Sequence, residues 1–304
     1  MVGPSIGGDD RPTLVVVGAA TRDIHDQDPR GWRLGGTVSY SSIVAARLGI
    51  RVRALIGVDA AAATASELDV LSGAGVEMQL VPLSKGPIFD NRQTASGRVQ
   101  YAHSASDRIP VGALPSAWSN PDAALLGPVA GELSEEWAAA FPVKAFVALA
   151  AQGLVRALTP GKPVERLPLG RSALVTRADA IMISGEDVAP GTPPIRELLR
   201  PVQQLLVTQG AKGALHLRRD ADGLRGRHLP PLPLREAMDT TGAGDTFLGA
   251  WVAARMLFGD QGWRELAVAA AMASLSVERE TLAETPTLAD LCEVLVRLRD
   301  RHLG

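Results

Sequence analysis

The chain has 304 residues, 46% apolar and 21% charged, with a net charge of −2, which is enough to bury a large core and gives no global basic field for nucleic acid or an anionic membrane. Cys292 is the single cysteine, which excludes an internal disulfide and a cysteine-based zinc site and points to a reducing, cytoplasmic setting. No apolar run approaches the roughly 20 residues of a membrane span, and the acidic N-terminus reads as a disordered lead-in over 1–12, not a signal peptide.

TLVVVG (13–18) is a short apolar run closed by glycine, the pattern of a buried strand. The second half of GWRLGGTVSYSSIVAARLG (31–49) has helical spacing, with Gly49 as its stop. A strand follows at 52–58, a helix with a glycine exit at 63–75 and a strand at 76–82. This alternation predicts a parallel sheet covered by helices. PIFDNRQTASGRVQYAH (87–103) breaks the rhythm with a turn-rich centre and alternating flanks, and predicts a hairpin standing off the sheet as a flap. Strands are then predicted at 123–127, 145–150, 180–184 and 204–210, with weaker candidates in GALHLRR and before Asp239. Helices are predicted at about 243–258, 261–279 and 287–301. With no internal repeat and no long linker, one α/β domain over 1–304 with a small β lid is the economical reading.

DTTGAGDTF (239–247) carries the strongest chemical signal. Gly242 and Gly244 leave no side chain between the backbone amides and a ligand. The apolar periodicity after them, through Phe247, Trp251 and Ala254, places 242–245 at a helix N-terminus. Free N–H groups and the helix dipole favour an anion there, and phosphate is the obvious guest. Asp245 is either a first-turn charge complementing the dipole or a base that takes the proton of a hydroxyl attacking the phosphate. No GxxxxGK[ST] occurs, and the spacing does not suit a dinucleotide fingerprint.

DTTGAGDTF resembles the C-terminal signature D-T-x-G-A-G-D of the PfkB/ribokinase family of carbohydrate and nucleoside kinases. GGTVSYSSIVAARLG (35–49) resembles that family's N-terminal glycine-pair motif, with Gly35, Gly36, Ala45, Leu48 and Gly49 in register. The resemblance implies a ribokinase-like three-layer α/β/α fold with a mostly parallel central sheet and a lid built from about 31–36 and 87–103. It implies an ATP-dependent kinase that phosphorylates a hydroxyl, most simply a primary one, of a sugar or sugar-like molecule. Asp245 would be the general base, and the amides of Gly242, Ala243 and Gly244 the anion hole. Asp23, Gly35, Gly36, Tyr40 and the flap residue Asn91 would contact the substrate. Thr208, Gly210, Gly213, Thr241, Ala273 and Ser276 would contact ATP.

Several positions depart from the family pattern. Tyr40 and Thr21 stand where ribokinases carry asparagine, which counts against ribose itself. The family's N-x-x-E motif for magnesium appears as Ser184-Gly185-Glu186-Asp187, so Asp187, with Glu186, is the candidate Mg²⁺ carboxylate or merely a helix-start charge. A monovalent cation near Asp239 is implied as well, although 279–284 (RETLAE) lacks the family's usual glycine. Gln152 and Arg156 could approach the site, or could simply follow a strand exit. The free edges of the lid strands could pair two subunits into a homodimer. The rival readings are a nucleoside or inositol kinase, and a catalytically silent relative that binds a sugar or a partner protein.

Overall fold

The computed structural model describes residues 11–302, apart from 95–96, 193–198, 201–202, 221–222 and 233–236. Most of the 1–12 lead-in, and part of the segment before Asp239, lie outside the described residues. The strands are β1 (Thr13–Ala19), β2 (Thr21–Ile24), β3 (Trp32–Gly35), β4 (Arg51–Val58), β5 (Glu77–Pro82), β6 (Ile88–Thr94), β7 (Gly97–Ser104) and β8 (Ala123–Leu126). They continue as β9 (Phe146–Ala150), β10 (Arg156–Ala157), β11 (Lys162–Pro163), β12 (Glu165–Arg166), β13 (Ala180–Ser184), β14 (Gln204–Thr208), β15 (Ala214–Asp220) and β16 (Gly223–Leu229). The helices are α1 (Thr37–Arg47), α2 (Glu67–Gly73), α3 (Ala173–Arg177), α4 (Ala243–Phe258), α5 (Trp263–Ser276) and α6 (Leu288–His302).

Nine strands form the main sheet in the order β16-β15-β14-β13-β9-β8-β1-β4-β5. Its ladders are parallel from β5 through β14, and β15 and β16 are added antiparallel at one edge. A parallel sheet is covered on both faces, so its strands are apolar throughout instead of alternating. Strand β1 shows the consequence: Leu14 and Val16 enter one core, Val15 and Val17 the other, and all four are fully buried. The first core is closed by the longer helices α1, α4, α5 and α6. Among the described residues the second is closed by α3, short 3₁₀ turns and the indoles of Trp118 and Trp137.

Trp251 fastens α4 to the sheet. It is fully buried, with its ring 6.0 Å from Phe146 and 6.1 Å from His216. Truncating such a side chain to alanine costs about 3–5 kcal/mol.

The lid is a second sheet, ordered β11-β7-β6-β2-β3. The β6–β7 hairpin falls where the alternating pattern predicts it. The residues before Trp32 differ from expectation: Thr21–Ile24 are also a lid strand, antiparallel to β3 and parallel to β6. Ion pairs hold the root of the lid. Arg22 donates to Asp59 at 2.7 and 3.0 Å, and the other Asp59 oxygen accepts from the amides of Ala61 and Ala62. Arg30 bridges Asp28 and Glu67, and Glu67 also accepts from the Leu34 amide.

Candidate active site

Helices α1 and α4 cross with their backbones almost touching. A Cβ at Gly249 would stand 2.6 Å from Ser41 Cα, so only glycine fits there, and the small residues of GTVSYSS serve the same close approach. The crossing places two α1 hydroxyls on the first turn of α4. Ser41 Oγ donates to the Asp245 carbonyl at 2.8 Å, and Thr37 Oγ1 donates to Asp245 Oδ1 at 2.6 Å. Asp245 is thus oriented by a neighbour 208 positions away in the chain. Burial pushes its carboxyl up to about 6, against the lowering effects of the Thr37 hydrogen bond and the Arg156 charge.

Helix α4 starts from Gly242, which has φ +74°. A side chain is disfavoured there by backbone geometry and also by space, because a Cβ would lie 2.6 Å from three carbons of the Tyr40 ring. Tyr40 therefore backs the 242–245 turn. Burial, then the charges of Asp23, Asp239 and Asp245, push its phenol well above the ordinary tyrosine range. Of the first-turn amides of α4, that of Ala243 donates to the Thr240 carbonyl at a long 3.3 Å, and together they carry the positive end of the helix dipole.

One cavity of about 1130 Å³ runs from the lid across this turn to the β14–β15 connection. Gly242, Ala243, Gly244 and Asp245 lie in its middle. Asp23, Gly36, Tyr40 and Asn91 line the lid end, and Thr208, Gly210, Gly213, Thr241 and Ala273 line the far end. Gly36, at φ +91°, packs against the Ala19 carbonyl and the Thr21 amide, where a Cβ would come within 2.7 and 3.2 Å. Asn91 Oδ1 accepts from Gln100 Nε2 at 3.0 Å across the hairpin.

Three expected residues are placed differently. Gly35 is absent from the cavity wall; it makes room for the side chains of Asp23 and Thr21, which lie where its Cβ would be. Ser276 turns away, donating to the Ala273 carbonyl at 2.8 Å and lining a small side pocket, while Ser274, Ala270 and Val277 line the main cavity. Asp187 reaches the cavity, but both its oxygens are taken by Arg156, at 2.8–3.1 Å. Thr21 is an addition: it is 3% exposed and faces the cavity, and its hydroxyl has no partner in the protein. Sequence shows only that its residue type is unusual; its burial depends on the lid strand β2.

Residues 186–288 match the profile of the pfkB family carbohydrate kinases. No curated protein sequence matches the chain. Similar solved structures include a pyrophosphate-dependent kinase in the ribokinase family complexed with a pyrophosphate analog and myo-inositol. That match has a TM-score of 0.72 at 20% identity and covers 92% of this chain and 99% of the other. A fructokinase with bound ATP from Xylella fastidiosa has a TM-score of 0.71 at 20% identity, covering 94% and 99%. The nucleoside kinase of Methanocaldococcus jannaschii, an archaeal member of the ribokinase family, has 0.68 at 15%, covering 95% and 100%.

The chain has the ribokinase fold. The PfkB-matching segment holds Asp245 and the far end of the cavity, whereas the lid end lies outside it. Among the described residues no helix is long and apolar enough to cross a membrane.

The metal ions that the ribokinase fold implies fit unequally. Among the described residues no three His, Cys, Asp or Glu side chains gather into a metal set. Magnesium at a nucleotide needs only one or two carboxylates besides phosphate oxygens and water. Glu186 meets that need, being exposed and on the cavity wall, whereas Asp187 does not, because Arg156 occupies both its oxygens. The segment implied for a monovalent cation does not fit one. The Glu280 carbonyl accepts from Arg33 at 3.1 Å, that of Ala283 from Arg47 at 2.9 Å and that of Glu284 from Arg279 at 2.7 Å, and Arg47 also donates to the Thr285 carbonyl.

Proposed function

We propose that the protein is an ATP-dependent kinase that phosphorylates a hydroxyl of a sugar or sugar-like molecule, most simply a primary hydroxyl of a sugar. The observation that carries this reading is Asp245. It is a partly desolvated carboxylate, oriented by Thr37, at a helix N-terminus midway along a cavity with two unlike ends. The lid end presents Asp23, Asn91 and the unpartnered Thr21 hydroxyl. A buried hydroxyl without a partner is costly, and a ligand bearing several hydroxyls would satisfy it. The far end is an apolar recess of Ala270, Ala273, Val277 and Leu232 beside Ser274, suited to the flat face of adenine.

Asp245 would take the proton of the acceptor hydroxyl as its oxygen attacks the γ-phosphorus. The new O–P bond forms as the bond to the β–γ bridging oxygen breaks, and that oxygen leaves on ADP with the electron pair. The amides of Gly242, Ala243 and Gly244 would hold the charge on the transferring group. Magnesium bound with the nucleotide, beside Glu186, would neutralise phosphate charge. The lid would exclude water, so that the acceptor hydroxyl is the available nucleophile.

The test is turnover over a panel of sugars, nucleosides and cyclitols with ATP as donor, with Asp245→Asn as control. Turnover surviving unchanged in Asp245→Asn would sink the general-base role. Nucleotide binding without turnover on any acceptor would favour a silent binding protein.

A second reading concerns the donor. The neighbour that carries a pyrophosphate analog and myo-inositol makes pyrophosphate and cyclitols necessary arms of the panel. Turnover with pyrophosphate but not ATP would show that the apolar recess does not serve a base.

A further inference from the structure

Arg156 stands on the cavity wall between the lid, the sheet and the 242–245 turn. Its side chain is 14% exposed and that of Asp187 is 7% exposed. Nε and Nη2 donate to Asp187 Oδ1 at 3.1 and 2.9 Å, and Nη2 also donates to Oδ2 at 2.8 Å. Nη1 donates to Gln100 Oε1 at 2.7 Å, and Gln100 in turn donates to Asn91 on the other lid strand. Gln152 also accepts from the guanidinium when its amide oxygen faces it.

A buried ion pair adds little stability over an apolar pair of the same shape, so a purely structural latch is a weak explanation. The placement of the charge is more informative. Arg156 lines the cavity, and its charge acts at Asp245, where Thr37 and Tyr40 of α1 are the other polar neighbours. Asp187 is pinned by the guanidinium through both its oxygens.

We propose that Arg156 is a further catalytic residue: Asp187 and the lid residue Gln100 hold its guanidinium facing the space between the acceptor hydroxyl and the transferring phosphoryl group. The inference rests on the kinase reading. Asp187 then serves as an anchor for a protein cation instead of a magnesium ligand. The Asn91–Gln100–Arg156 chain links closure of the lid over the acceptor to the position of that charge. Planar, five-donor arginine suits the task better than lysine, since its fork can be held by Asp187, Gln100 and Gln152 while its delocalised charge still faces a phosphate.

The experiment uses the full chain and two readouts, one independent of turnover. In the ligand-free protein, ¹³C-carboxyl NMR follows the titration of Asp245, assigned by its loss in Asp245→Asn. The midpoint should rise by about half a pH unit or more in Arg156→Gln, and by less in Arg156→Lys, because removing a nearby positive charge disfavours the carboxylate. In the kinase assay, Arg156→Gln should lower kcat about 100-fold with nucleotide Kd within about threefold, as for other preorganised donors. Gln100→Leu should lower kcat several-fold with the same upward shift of the acid limb.

An unmoved Asp245 midpoint in Arg156→Gln overturns the placement of the charge, whether or not turnover is found. A kcat loss shared equally by Arg156→Lys, without any shift in the acid limb, reduces Arg156 to a structural latch and overturns the proposal too. Where Arg156→Gln does not fold, Arg156→Lys and Gln100→Leu decide between the same two outcomes. A wild-type protein inactive on every acceptor defeats the kinase reading itself, and the NMR titration still tests the charge.

Discussion

The two ends of the cavity are built in opposite ways. The 242–245 turn is local: Gly242 sets the backbone, α4 supplies the amides and Asp245 follows two residues after Ala243 in one continuous stretch. The lid end is assembled from residues scattered from position 21 to position 156, with Thr21 and Asp23 on β2, Gly36 before α1, Asn91 on β6 and Arg156 on β10. A contiguous device tolerates little change, because each residue has several tasks. A dispersed one can alter one contact at a time, and so in the proposed kinase it would be the end at which acceptor choice varies.

The contiguous end should break first and hardest. Asp245→Asn should lower kcat by about 10²–10⁴, the range for loss of a general base, with nucleotide binding retained. The same variant should be more stable than the wild type at neutral pH. The folded protein raises this carboxyl from 3.8 to about 6, so folding favours its neutral form. That stability is fully present below about pH 4 and is lost as pH rises through about 6, a difference of about 3 kcal/mol at most. Thermal melts at pH 7 should therefore show a higher Tm for Asp245→Asn, with the gap closing towards pH 4. An equal gap at both pH values would contradict the desolvation of Asp245.

Gly242→Ala tests the backbone instead of the base. Its Cβ meets Tyr40 at 2.6 Å, and left-handed backbone costs a non-glycine residue about 1–2 kcal/mol. Displacing the anion loop by an ångström is worth about 100-fold in rate. Steady-state kinetics should show that loss mainly in kcat, and a variant with wild-type kcat would exclude the turn from catalysis. Thr37→Val should be milder, about 10-fold, since it removes one hydrogen bond to a charged group. Because that bond lowers the Asp245 pKa, the acid limb of its pH–rate profile should move upward.

The same contrast explains what sequence can and cannot show. The long strands and late helices are legible because apolar runs and 3.6-residue periodicity record burial directly; α4 begins and ends where Gly242 and Gly259 indicate. The backbone of the 242–245 turn is legible because it is written in adjacent residues, whereas the Thr37 hydroxyl that orients Asp245 comes from 208 positions away. Strand β2 is hidden because TRDI has no alternation of its own and becomes a strand only by pairing with β3 and β6. Gly35 looks like a substrate contact in sequence, whereas it makes room for Asp23 across that ladder. Asp187 looks like a metal ligand because its Arg156 partner lies 31 positions away, beyond any local pattern. Ser276 and Ser274 are two residues apart on α5, about 200° round the helix, so only one of them can face the cavity, and it is Ser274.

The smallest effect belongs to the turn behind the site. Met238 and Asp239 donate their amides to the Val277 carbonyl at 2.7 and 3.2 Å, so the position of 279–285 bears on the loop that carries Asp245. In that turn, four carbonyls already accept from Arg33, Arg47 and Arg279. Arg279 is itself held by Asp290 at 2.6 Å. A monovalent cation would have to displace guanidinium groups whose charge is covalently tethered and whose hydrogen bonds are made. Replacing potassium by tetramethylammonium at constant ionic strength should therefore change kcat by less than about twofold and leave Tm unmoved, because a ligand stabilises a fold only in proportion to its occupancy. Potassium activation of tenfold or more would show that the arginines yield to the ion, and would make this turn a dispersed, exchangeable element like the lid end.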